Sequence, residues 1–175
     1  MKQYFANHPV IEYRGLSLRN LMLSARVVKA ALTNASVMYP YTLEEGDTPT
    51  MIAYDYYGSV DYVWLVLLSN NMIDPYTQWY KSQADFDAYI IKKYGSIEAA
   101  MNTIDHFSNR SDISAAKVSA TTFQYMSADE RTLLDPVSAY DTEVSLNESR
   151  RVINLIDASN APRISLELER LLQND

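Results

Sequence analysis

A chain of 175 residues with 47% hydrophobic and 21% charged residues has a folded, globular composition, sufficient for one medium domain or a small core with extensions. Its formal charge of −7 and lack of a basic run exclude the usual nucleic-acid binder, which gains affinity by releasing counterions through Lys and Arg. The absence of cysteine excludes disulfides, thiolate metal sites and cysteine nucleophiles.

Fourteen tyrosines stand against four phenylalanines, a bias that suits surfaces half-buried on association, since a phenol ring is apolar but carries a hydroxyl that needs a partner. The N-terminal MKQYFANHPVIEYRG has no apolar h-region, and the longest apolar run, around Val63–Leu68, is too short to cross a bilayer. The expectation is a soluble protein made in the cytoplasm, with no membrane partner.

Residues 1–15 show no period and read as an extended arm. Ser17 is placed to cap a helix reaching Leu32, with Leu18, Leu21, Met22, Ala25, Val28 and Leu32 at helical spacing and Thr33-Asn34 as its stop. Val37, Tyr39, Tyr41 and Leu43 alternate as in a strand, and Pro40 confines that strand to a sheet edge. Glu45-Gly46-Asp47 is a turn. Thr48-Pro49 opens a helix through Tyr57, which Gly58 closes in the left-handed conformation.

A second helix runs from Val60 or Asp61 to Ser69, with Val60, Trp64, Leu67 and Leu68 on one face and Asn70-Asn71 as its end. Trp64 reads as core. Asp74-Pro75 makes the next turn, and Thr77–Tyr80 is the expected second strand, carrying Trp79 on one face. Ser82 with Asp85 caps a helix through Tyr94 that Gly95 ends, its acids near the start and Lys92-Lys93 near the finish.

From Ser96 to Val137 the pattern weakens. Ile104–Phe107 and Thr121–Met126 are short apolar runs suited to pair as strands, and Ser127 with Glu130 caps one helical turn. VINLID (Val152–Asp157) reads as a strand. After Pro162, Ile164, Leu168, Leu171 and Leu172 mark an amphipathic C-terminal helix. The fold class is therefore α+β.

Catalytic chemistry finds little support. His8 and His106 lack companions at metal-ligand spacing, so neither a metal nor a cofactor is expected. The acid pairs Glu44-Glu45, Asp85/Asp87 and Asp129-Glu130 lie where turns and helix starts favour carboxylates. With four glycines in the chain there is no phosphate-binding loop, and no Ser-His-Asp order is evident. The reading is a non-enzymatic protein.

The stretch YTLEEGDTPTMIAYDYYGSVDYVWLVLLSNN resembles a LysM module. Gly46-Asp47-Thr48, Ile52-Ala53, Tyr57-Gly58 and Leu67/Leu68 before Asn70 fall in the order of that family's strand, turn, two helices and stop. The Ile-Ala to Gly spacing is one residue longer than in common wall-binding modules, and the second helix is longer. That variant, with NNMIDPYTQW after the helix, is similar to the gene-53-type baseplate wedge subunit of contractile-tailed phages. The likeness continues into the N-terminal arm and into the tail, through Asn147, Glu148 and Arg151, the Ile-rich strand and the final helix.

This resemblance implies a central LysM-like βααβ module at 37–81, an N-terminal arm and helix at 1–36, and a C-terminal mixed extension at 82–175. It also implies a non-catalytic clamp in the virion tail, present in multiple copies in a hexagonal baseplate. Its partners would be other wedge proteins and a sheath-initiator-type subunit. Gly46, Asp47, Thr48, Ile52, Gly58, Trp64, Asn70, Asp74 and Pro75 then serve the module's core and turns. Tyr76, Trp79, Ile164, Leu168 and Leu171 are the candidate partner contacts. The rival implication is a peptidoglycan- or N-acetylglucosamine-binding module using loops Gly46–Thr50 and Asn70–Tyr76, with Tyr76 stacked on a sugar.

Overall fold

Arg14 and Gly15 both take positive φ, 53° and 77°, the pair of left-handed residues that a two-residue hairpin turn requires. They join strands β1 (Val10–Tyr13) and β2 (Leu16–Arg19), which pair antiparallel with Ile11 opposite Leu18 and Tyr13 opposite Leu16. The helix expected from Ser17 is thus replaced over 17–19 by a strand, because the turn imposes a period of two that overrides the helical spacing of Leu18, Leu21 and Met22. Asn20 to Met22 continue as a loop and turn, and residues 23–32 of that expected helix lie outside the described residues. The computed structural model describes residues 6, 8–22, 38–112 and 116–173.

Two compact units emerge, one of residues 1–79 with 152–175 and the other of residues 80–151. The stretch 82–175, expected as a single extension, is therefore divided at Arg151.

In the first unit, strand β3 (Met38–Thr42) leads into the turn at Gly46, whose φ of 91° favours glycine. Asp47 fixes this turn, its carboxylate accepting the Glu44 amide at 2.8 Å. Thr48 caps helix α1 (Pro49–Tyr57) by accepting the Met51 amide, Pro49 sits in its first turn, and Gly58 ends it at φ 77°. Ser59 starts a 3₁₀ turn (Val60–Tyr62) that runs into helix α2 (Val63–Ser69), where Tyr62, Trp64, Leu65, Val66 and Ser69 are buried. The buried face is rotated from the expected one. Val60 is exposed, and Leu67 and Leu68 are only half-buried.

Asp74-Pro75 opens a short helix, α3 (Pro75–Gln78), where a strand over Thr77–Tyr80 was expected. Asp74 caps this turn and Pro75 sets its first φ, so the local chemistry favours helix over strand. The partner of β3 is instead β6 (Val152–Ile156), paired antiparallel with Tyr39 opposite Leu155 and Tyr41 opposite Ile153. Leu43, Ile52, Leu65, Ile153 and Leu155 form the fully buried centre of this unit. A 3₁₀ turn (Ala158–Asn160) leads to α9 (Ala161–Gln173), whose Ala161, Ser165, Leu168 and Leu172 are buried at helical spacing.

There, Ser82 caps α4 (Gln83–Tyr94) and Ser96 caps α5 (Ile97–Asn102). Strand β4 (Ile104–Asn109) pairs antiparallel with β5 (Leu134–Ser138). The run Thr121–Met126, expected to pair with β4, instead forms α6 (Ala120–Gln124) after a Ser119 cap. Its Phe123 stacks on Phe107 at 3.8 Å, while Val118 bridges Phe107 through backbone hydrogen bonds. Ser127 and Glu130 complete a capping box at α7 (Ala128–Arg131). Helix α8 (Ala139–Ser149) was not anticipated, although Ser138 and Asp141 carry its N-terminal cap and were visible as Ser-x-x-Asp. Phe86, Ile90 and Ala100 centre this core, with Tyr89, Tyr94, Ile97, Tyr140 and Val144 around them.

Candidate functional site

The two loops implicated by the sequence are tied to each other. Trp79 is buried, 7% exposed, and its indole N–H donates to the Asp47 carbonyl at 2.8 Å. It therefore closes the loop 70–79 onto the turn 44–48 and is not displayed as a partner contact. Gly46, Asp47 and Thr48 lie in that turn and cap, Ile52 is buried beneath it, and Gly58 ends α1. Trp64 is buried on α2.

Asn70 does more than end a helix. Its carboxamide donates to the Val66 and Asn154 carbonyls at 2.8 and 2.9 Å, and accepts the Asn154 amide at 2.7 Å. Ser69 adds a hydroxyl to the same Asn154 carbonyl at 2.8 Å. Because the N–H and C=O of one strand residue point to the same edge, Asn154 faces away from β3 at the register where Pro40 lies opposite. Pro40 thus loses no ladder bond, and Asn70 covers the outer edge of β6. Tyr57 adds a hydroxyl bond to the Ile156 carbonyl at 2.9 Å, and burial pushes that phenol well above its ordinary pKa.

Beside these tied groups, apolar side chains are displayed. Ile73 and Tyr76 are 86% and 90% exposed. Ile11, Tyr13, Leu16 and Leu18, cross-strand pairs that share one face of the hairpin, are all exposed. The opposite face carries Val10 beside polar groups: Ser17 bonds Glu12, and Arg19 donates to the Ala6 and His8 carbonyls at 2.7 and 2.8 Å. Of the C-terminal candidates, Leu168 is 3% exposed and faces inward, Ile164 is half-buried, and Leu171 is exposed. The hairpin face departs from the arm and helix expected over these residues. The Arg14-Gly15 pair between alternating apolar residues was the available signal.

The second unit holds a buried carboxylate. Glu143 accepts from Lys93 at 2.5 Å and from Tyr89 and Tyr94, each at 3.2 Å, tying α8 to α4. Burial would push this carboxyl up, but the Lys93 contact and then the tyrosine hydroxyls outweigh it and hold it below the ordinary glutamate value. Asn147 repeats the Asn70 device, accepting the Lys81 amide at 2.9 Å and donating to the Lys81 carbonyl at 3.0 Å. His106 meets the neighbouring Asp105 at 2.8 Å, and Thr142 donates to that same carboxylate at 3.1 Å.

Among the described residues no group of three or more His, Asp or Glu side chains is placed to hold a metal ion. No described helix is long and apolar enough to cross a membrane.

Loops whose polar groups bind their own backbone, beside displayed apolar side chains, define an α+β protein of the structural, partner-binding class. A family model described as base plate wedge protein 53 matches residues 4–121, more than half of the chain, and the chain belongs to that family. Its role is accordingly structural, in the baseplate of a phage tail. No curated protein matches the chain.

Proposed function

We propose that the protein clamps neighbouring wedge subunits together during baseplate assembly, in several copies around a hexagonal ring. The observation that carries this reading is the β1–β2 hairpin, where Ile11, Tyr13, Leu16 and Leu18 make one exposed apolar face. An isolated two-stranded hairpin is marginal in water, and an exposed contiguous apolar patch marks an interface. Other wedge proteins, and a subunit of the sheath-initiator type, are the partners that family membership favours. Exposed Leu166 and Leu171 on α9 extend the reading to the C-terminal flank.

The first unit serves in this reading as a LysM-like scaffold whose second strand is β6, supplied from far along the chain. The order β3, turn, α1, α2 supports that likeness, while the second strand comes from 152–156 and not from the expected 77–80. Mixing the full chain with the other recombinant wedge proteins and sedimenting the products tests the function. A co-sedimenting complex is expected, with the protein left in the supernatant by insoluble peptidoglycan. Failure to enter any wedge complex, with retention on peptidoglycan released by N-acetylglucosamine oligomers, overturns the clamp.

A further inference from the structure

We propose that α8 is a releasable strap on the second unit, fastened chiefly through Glu143 and Asn147, so that residues 139–151 open as a loop while the strands before and after them stay paired. The strap follows from the buried face of α8 and does not depend on the assembly reading above.

Other helices seat large apolar side chains at their buried positions: Ile52 on α1, Leu65 on α2, Phe86 and Ile90 on α4, Leu168 and Leu172 on α9. In α8 the buried positions recur at four-residue spacing as Ala139, Glu143 and Asn147, one small and two polar. Tyr140 and Val144 are half-buried at the border of the Phe86–Ile90 core, and Leu146 is exposed. Burial of large apolar side chains is what makes an element open only with the whole fold. With little of it, α8 relies on hydrogen bonds, whose net contribution is modest because water competes for the same groups.

The two fastenings reach one stretch of chain. Glu143 accepts from Lys93, Tyr89 and Tyr94 on α4, and four residues on Asn147 pairs with both backbone groups of Lys81, just before that helix. The first turn of α8 is held by the Ala139 amide on the Thr103 carbonyl and by Thr142 on Asp105. Both flanking strands have holds of their own. Ser138 ends β5, which pairs with β4, and Val152 begins β6, which pairs with β3 and meets Asn70 at Asn154.

The Glu143 fastening depends on charge. Facing it from α4 are Lys93, Tyr89 and Tyr94, with the Lys81 ammonium 5.3 Å from the centre of the Tyr89 ring. Of the other elements packed on α8, α5 supplies Ile97 and Ala100 to the core and leaves Glu98 exposed. On β4, Asp105 engages Thr142 and His106, and on β5, Asp135 is bound by Arg110. Protonation of Glu143 removes its ion pair with Lys93, so acid loosens the strap.

Hydrogen exchange of the full chain, followed peptide by peptide at low guanidinium, tests the strap. Residues 139–149 are expected to exchange through an opening that needs less denaturant than that of 83–94 or 152–156. Glu143→Gln and Asn147→Ala are each expected to speed exchange in 139–149 roughly fivefold, with 152–156 changed less than about twofold. Asn70→Ala is expected to do the reverse. Taking wild type from neutral pH to about pH 3 should lower the protection of 139–149 more than that of 83–94, a difference absent in Glu143→Gln. Exchange of 139–149 only in step with 83–94, in wild type and both strap variants, overturns the proposal. Equal speeding of 152–156 in those variants, or an acid loss as large in Glu143→Gln as in wild type, overturns it too.

Discussion

The Asn70 carboxamide pairs with both backbone groups of Asn154, 84 residues away, as a neighbouring strand would. Through this one side chain, the end of α2 holds β6 against β3. Removing it leaves the Asn154 amide without this acceptor, while Ser69 still donates to the Asn154 carbonyl. Asn70→Ala is expected to destabilise the protein by about 1–2 kcal/mol, since a hydrogen bond contributes about 0.5–1.5 kcal/mol net and the exposed Asn154 groups can turn to water. Asn70→Asp keeps an acceptor but loses the donor, so it recovers only part of that loss. Chemical denaturation of the two variants checks the order.

Trp79 connects two loops through its ring and through its indole N–H to Asp47. Trp79→Phe keeps most of the ring and loses the bond, for an expected cost of about 1–2 kcal/mol. Trp79→Ala adds a cavity and is expected to cost about 3–5 kcal/mol. Thermal unfolding followed by near-ultraviolet circular dichroism measures both. Equal losses in the two variants contradict a role for the N–H bond.

Glu143 carries a pH dependence whose sign is fixed by its environment. Its carboxyl lies below the ordinary value of 4.5, so it is ionised and bound to Lys93 in the native state. The stability it contributes is fully present above pH 4.5 and declines as pH falls through the depressed native value. Glu143→Gln is expected to be about 1–2 kcal/mol less stable at neutral pH, because Lys93 remains about half exposed and can rehydrate. The gap from wild type should close as the pH is lowered below 4.5 in urea titrations. A constant gap across that range contradicts the assignment.

The hairpin face separates folding from assembly. Ile11→Ser with Leu18→Ser removes the central cross-strand pair of an exposed surface. Little change in melting temperature is expected, together with at least tenfold weaker entry into the wedge complex. A collapse of the fold would show that the face is structural.

Much of the local structure was written in short-range chemistry. Gly46, Thr48-Pro49, Gly58, Ser82 with Asp85, and Ser127 with Glu130 specify their turns and caps, because each acts on backbone groups within a few residues. The same reach explains the failures. By itself Asp74-Pro75 signals a bare turn, whereas in the fold Asp74 caps a helix that displaces the expected strand. Thr121–Met126 read as a strand from its apolar content, yet Ser119 starts a helix there and Phe123 finds Phe107.

The sequence alone determined the α+β class, the β3–turn–α1–α2 succession and the amphipathic character of α9. It also settled the lack of any cysteine chemistry. These follow from periodicity, capping and composition, all readable within a turn or two of chain. Only the tertiary structure decided that β6 completes the sheet, that Asn70 and Asn147 bond the backbone of distant residues, and that Trp79 and Leu168 face inward while Ile73 and Tyr76 face out. Those choices depend on which distant surfaces meet, and hydrophobic burial does not encode direction in any single residue.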